Sequence, residues 1–197
     1  MKTRDQPVER EPRALRVSGV GWGIKRIWAL LLAAAVQRVP FALIEPDTLV
    51  GLKKALLVSS HLLLVWALLG NLHLRSIRLV LSGVLFNFVA VVVNGGLMPV
   101  SPEARHLAGM TDLGSAWLGH VTPQGTGILL TVSQTRLWAF TDIIPWNFVG
   151  GVFSVGDILL GFGLVWLLVE LLWHYLGRRP PRVADGGAKQ ETQHRET

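Results

Sequence analysis

The chain contains no cysteine, which excludes disulfides, thiolate metal centres and a cysteine nucleophile. Charge is also scarce. Asp, Glu, Lys and Arg make up 16% of the residues, where a soluble domain carries about 25%. A single tyrosine stands against eight tryptophans. No phosphate-binding glycine loop, nucleophile elbow or His-Glu-x-x-His is present. The net charge of +6 raises the question of nucleic acid. The basic residues, however, gather at the edges of apolar runs and form no stripe of their own, so no nucleic-acid partner is expected.

The apolar runs dominate what remains. Four segments, 27–43, 55–69, 77–93 and 155–175, are nearly free of charge. About 20 helical residues cross the hydrocarbon core, and a segment in lipid must satisfy its own backbone hydrogen bonds. The expectation is an all-α membrane protein, a four-helix transmembrane bundle with membrane lipid as its surroundings. An outer region, 94–154, would lie between spans three and four as a loop or re-entrant element. Residues 1–26 form a basic leader and 177–197 a polar tail, both with the composition of disorder. A cleaved secretory signal is the competing reading of the start, with Ala33-Ala34-Ala35 as its small-residue site. The leader is long for that, and the apolar run resumes after Arg38.

Charge sets the orientation. Fourteen of the 19 basic residues fall before span one, between spans two and three, or after span four. The positive-inside rule then places both termini in the cytoplasm, and the chain in a bacterial inner membrane. A fifth span at 137–149 would carry Asp142 next to Arg136 and would put the 178–182 arginines outside. An interfacial or re-entrant element is expected there instead.

The outer region carries the specific-looking sequence. Asn94-Gly95-Gly96 is a turn signal. Ser101-Pro102-Glu103 has the cap and first-position proline that start a short helix. Asp142 and Asp157 are acids embedded in apolar residues at a membrane boundary. If the chain between them folds back, two carboxylates share a dry site, one pKa rises, and the pair becomes an acid and a base. Alternatively, Asp157 caps the last helix, while Asp142 pairs with Arg136 or with loop amides. Asn87 and Asn94, Ser101 and Arg136 are the candidate binding residues beside this pair. His61 lies mid-span and, with Asn87, could serve a small transporter. Glu170 and His174 are spaced for a local i,i+4 contact. His106, Asp112 and His120 match no compact metal-ligand spacing, so no metal is expected, and no motif calls for a cofactor.

Two motifs carry a resemblance. Residues 94–101, Asn-Gly-Gly-Leu-Met-Pro-Val-Ser, and 153–157, Phe-Ser-Val-Gly-Asp, resemble a bacterial family of small multi-pass membrane proteins of unknown function. The resemblance runs over about residues 27–175, with Thr141 where that family suggests Gly. Residues 140–160 are also similar to the end of the lipoprotein signal peptidase family, which has four spans and two catalytic aspartates. Asp142 and Asp157 stand at the matching positions, with Ser154 and Gly156 in place of Asn and Ala. That likeness implies an aspartyl-type intramembrane hydrolase. The residues alone leave open whether the chain is an enzyme. Their first reading is a polar site at the extracytoplasmic mouth that binds a lipid, a peptide or a partner helix.

Overall fold

A computed structural model describes residues 24–110, 113–123, 125–148 and 150–176. Most of the expected leader and all of the tail lie outside this range. Four long helices form: α1 (Ile27–Leu43), α2 (Val50–Leu69), α3 (Arg75–Val93) and, after the outer region, α5 (Val155–Leu176). Three of them, α2, α3 and α5, are long and apolar enough to cross a membrane. At 17 residues α1 is apolar but shorter. The outward faces explain that apolarity. Leu62, Phe86, Val89, Phe162, Val165 and Leu168 are large, apolar and exposed, the inverse of a soluble protein's pattern and the pattern that lipid permits.

The second helix begins at Val50, five residues before the expected start at 55. Lys53 is the reason. Its side chain is fully buried, and Nζ donates to the carbonyls of Ile44, Glu45 and Pro46. These groups follow the last turn of α1, where helix carbonyls lack partners and attract a cation. A lysine that reads as a span-ending charge is thus spent on capping the neighbouring helix.

α1 packs on α2, α2 on α3, and α3 most extensively on α5, while α1 and α5 have almost no contact. The helices form an open row rather than a closed ring. Glycine sets the α3–α5 crossing. A Cβ added at Gly83 would lie 2.5 Å from the Gly156 carbonyl oxygen, and one at Gly163 would lie 2.8 Å from the Val80 nitrogen. Bare backbones approach closely there, the mode by which helices associate without a hydrophobic driving force.

One end of the row is tied by Asn71, which is fully buried and exchanges hydrogen bonds with Lys25 N and O. Glu170 belongs to the same end. It accepts from Arg75 N, Ser76 N and Ser76 Oγ, so it caps the start of α3 and reaches across to another helix. The i,i+4 spacing with His174 did not show this role.

The other end is closed by residues 94–154, which contain strands the all-α expectation lacked. β1 (Met98–Val100) pairs in parallel with β2 (Gly127–Leu129). Val100 also bridges to Asp142, and Ile128 to Val121. Between β1 and β2 lies α4 (Pro102–Leu107), capped by Ser101 as the sequence predicts, with Ser101 Oγ accepting from Ala104 N. The 137–148 stretch contains no helix long enough to cross a membrane. It holds one 3₁₀ turn (Trp138–Phe140) and β3 (Ile144–Trp146), which forms an antiparallel hairpin with β4 (Gly151–Phe153). Pro145 is an edge-strand residue here, where its missing N–H costs nothing. An apolar cluster of Phe41, Leu57, Val91, Leu97, Met98 and Val121 fastens this cap to the helix ends. Asp47, between α1 and α2, accepts from Val121 N and lies 2.9 Å from His120 Nδ1. The Val121 amide, and then His120, hold the Asp47 carboxyl below its ordinary range.

Candidate functional site

A cavity of about 430 Å³ lies where the cap meets the helices, and Asp142, Asp157, Asn87, His61, Gln37 and Arg38 are on its wall. Each is placed by a different piece of chain. Asp157 sits in the first turn of α5. It accepts from Ser154 N at 2.9 Å, and its own N–H donates to Ser154 Oγ at 3.0 Å. This reciprocal Ser-x-x-Asp arrangement is a capping box, and Ser154-Val155-Gly156-Asp157 announces it in the sequence. The other carboxylate oxygen accepts from Asn87 Nδ2 at 2.8 Å. Ser154 Oγ lies 2.8 Å from both Asn87 Oδ1 and Asp157 Oδ2. With one proton, it donates to one of them at a time. Gly156 makes the triad possible, because a Cβ there would overlap Asn87 Oδ1.

Asp142 is held by its backbone. Its N–H donates to Pro99 O and its carbonyl accepts from Ser101 N, both at 3.0 Å. The β1 edge therefore fixes the residue and aims its side chain at the cavity. Asp142 Oδ1 is buried and, among the described residues, has no hydrogen-bond partner. The expected pairing with Arg136 or loop amides does not supply one. Burial first, and the charge of Asp157 second, push this carboxyl well above its ordinary value of 3.8. Two carboxyls in different surroundings thus face one space. Asp142 favours its neutral form. Asp157 is met by N–H donors of Ser154 and Asn87.

His61 reaches the same cavity from α2. Its Nδ1 lies 2.8 Å from Leu57 O and 3.5 Å from Gln37 Nε2. Its ring stacks on Phe88 at 5.9 Å. Gln37 and Arg38 carry no site signal in the sequence, because an arginine in the outer third of an apolar run can also serve as a snorkelling anchor.

Three candidate residues serve the scaffold and are not on the wall of this cavity. Asn94 ends α3, donating to Ala90 O and Arg136 O and accepting from Arg136 N. Arg136 is therefore held through its backbone. Ser101 caps α4 and bonds Glu103. Of the possible metal set, His120 is engaged with Asp47, His106 lies on α4, and Asp112 is outside the described residues. Among the described residues no group of three His, Cys, Asp or Glu is placed to hold a metal ion.

The fold and site define a mostly helical protein with three helices long and apolar enough to cross a membrane and a polar, two-carboxyl cavity where a small cap meets the helices. The chain belongs to DUF5317, a family of unknown function whose profile matches residues 22–169. No curated protein and no solved structure matches it.

Proposed function

We propose that the protein is a multi-pass membrane protein of four spans in a bacterial inner membrane, with both termini cytoplasmic. In this reading its outer cavity binds a membrane-embedded ligand, and Asp142 and Asp157 act on it as an acid–base pair. The reaction class is aspartyl-type hydrolysis of a carbonyl compound. Asp157 accepts a proton from water as the water attacks the carbonyl carbon, and Asp142 gives its proton to the carbonyl oxygen. Collapse of the tetrahedral adduct breaks the bond to the leaving group, which takes up the proton held by Asp157. The carbonyl oxygen returns its proton to Asp142. The observation that carries this reading is the unpartnered, buried Oδ1 of Asp142 on the same cavity wall as Asp157. Orphaned buried polar atoms are rare where no role demands them.

The test replaces Asp142 and Asp157 by Asn, one at a time, in cells lacking the chromosomal copy. Protein level, cell phenotype and the small membrane-associated products recovered by mass spectrometry are compared. Asp142→Asn is expected to abolish function at normal abundance. Retained function in that variant sinks the hydrolase.

A second reading, ligand binding without chemistry, draws on the capping box that engages Asp157. It predicts that Asp142→Asn keeps function and that Asp157→Asn loses abundance.

A further inference from the structure

The cavity adjoins a second space of about 240 Å³, and Arg38, Thr126, Asp142 and Val152 border both. Two guanidinium side chains, Arg38 from α1 and Arg105 from α4, are on the wall of the second space. Arg105 is buried, whereas Arg38 is exposed and has no hydrogen bond or ion pair with a described residue. An arginine on a helix otherwise suited to lipid is costly, and such residues usually face an interior path or a partner. The first cavity lies beneath the gap between α1 and α5. Gln37 and Arg38 border it from one helix and Leu160 and Gly161 from the other. Gly161 keeps that gap clear, with nothing within 4 Å of where a Cβ would stand.

We propose that the ligand enters sideways from the bilayer through the α1–α5 gap, and that it is an amphiphile with a phosphate head group. The phosphate sits between Arg38 and Arg105, and the apolar portion runs along the gap past Gly161. The planar guanidinium fork is the side chain best matched to phosphate oxygens. The proposal deepens the ligand-site reading above, and it places the phosphate in the second space, whose wall includes Arg38, Arg105 and Asp142 but not Asp157. Asp142 does not repel an anionic head while neutral.

The experiment uses the full chain in dodecyl maltoside, a detergent without phosphate. The thermal midpoint is measured against dioctanoyl phosphatidylglycerol, dioctanoylglycerol and inorganic phosphate. Binding to the folded state raises the midpoint by mass action. The phosphatidylglycerol should give a saturable rise, and the other two should give none. Arg38→Gln should weaken the apparent affinity about tenfold, the size of one lost charged contact. Gly161→Phe, which fills open space, should abolish the response to lipid. An equal rise with inorganic phosphate would mean an anion site with no lipid selectivity and would overturn the proposal. A lipid response untouched by both variants would do the same. The lipid shift reads binding and the cell assay of the aspartate variants reads chemistry, so a failed hydrolase leaves this result standing, and the converse holds too.

Discussion

At the scale of single residues, placement has turned ordinary side chains into specialised ones. Asp142 is the clearest case. Its carboxyl is raised by burial and by Asp157, so between its ordinary and its raised pKa the native state holds a proton that the unfolded chain has released. Stability then falls as pH climbs through that window and levels off above it. Asp142→Asn, which mimics the neutral form, should flatten this decline, so that the variant exceeds the wild type at the alkaline end. Thermal midpoints in detergent across a pH series check it, and parallel curves would show that Asp142 does not titrate there. Lys53 gives a second case. Lys53→Met keeps the stem but strips three carbonyls of their donor. A loss of about 1 kcal/mol is expected, the net worth of hydrogen bonds at part-buried carbonyls, measured by denaturant unfolding in micelles.

At the scale of elements, the α3–α5 pair is the spine. It joins Gly83 to Gly156 and Val80 to Gly163 through near-touching backbones, and it places Asn87 against Asp157. Gly83→Leu should force these helices apart. A destabilisation of about 1–3 kcal/mol, the usual cost of overpacking, should come with loss of the Asn87–Asp157 contact. Comparing its unfolding with that of Gly161→Leu, a change into open space, separates packing from a general penalty on bulk. Equal midpoints for the two variants would refute the close-approach argument.

The cap was only partly legible at this scale. Its short helix could be read from Ser101 and Pro102, because capping chemistry is local. Its strands could not. Each is three residues long, and β1 meets β2 across a separation of 29 residues, Met98 with Gly127. No periodicity develops over so short a run, and the pairing exists only once the chain has folded back.

At the scale of the whole molecule, the exposed apolar faces make lipid the natural solvent. The purified chain should need detergent, and sedimentation in plain buffer should show aggregation. A reporter fused to the carboxyl end should be active only in a form that works in the cytoplasm, and activity outside would reverse the orientation argued from charge. Trp28 and Trp66 meet edge to face at 5.9 Å near one end of the helices. Trp146 and Phe153 do so at 5.3 Å in the cap, and indole rings favour the two membrane interfaces.

The sequence by itself pointed to lipid as the solvent. A segment in lipid must satisfy its own backbone hydrogen bonds, and three of the long uncharged runs form helices long and apolar enough to cross a membrane. It also marked Asp142 and Asp157 as unusual, because an acid among apolar neighbours is conspicuous without a structure. Only the tertiary structure decided what they face. The β1 edge turned Asp142 inward and left its Oδ1 without a hydrogen-bond partner among the described residues, the crossing at Gly156 brought Asn87 to Asp157, and an unclosed row of helices left Arg38 and Gln37 on the same wall. Those are contacts between residues far apart in the chain. Local pattern carries no record of them, because their energies exist only after the helices have packed.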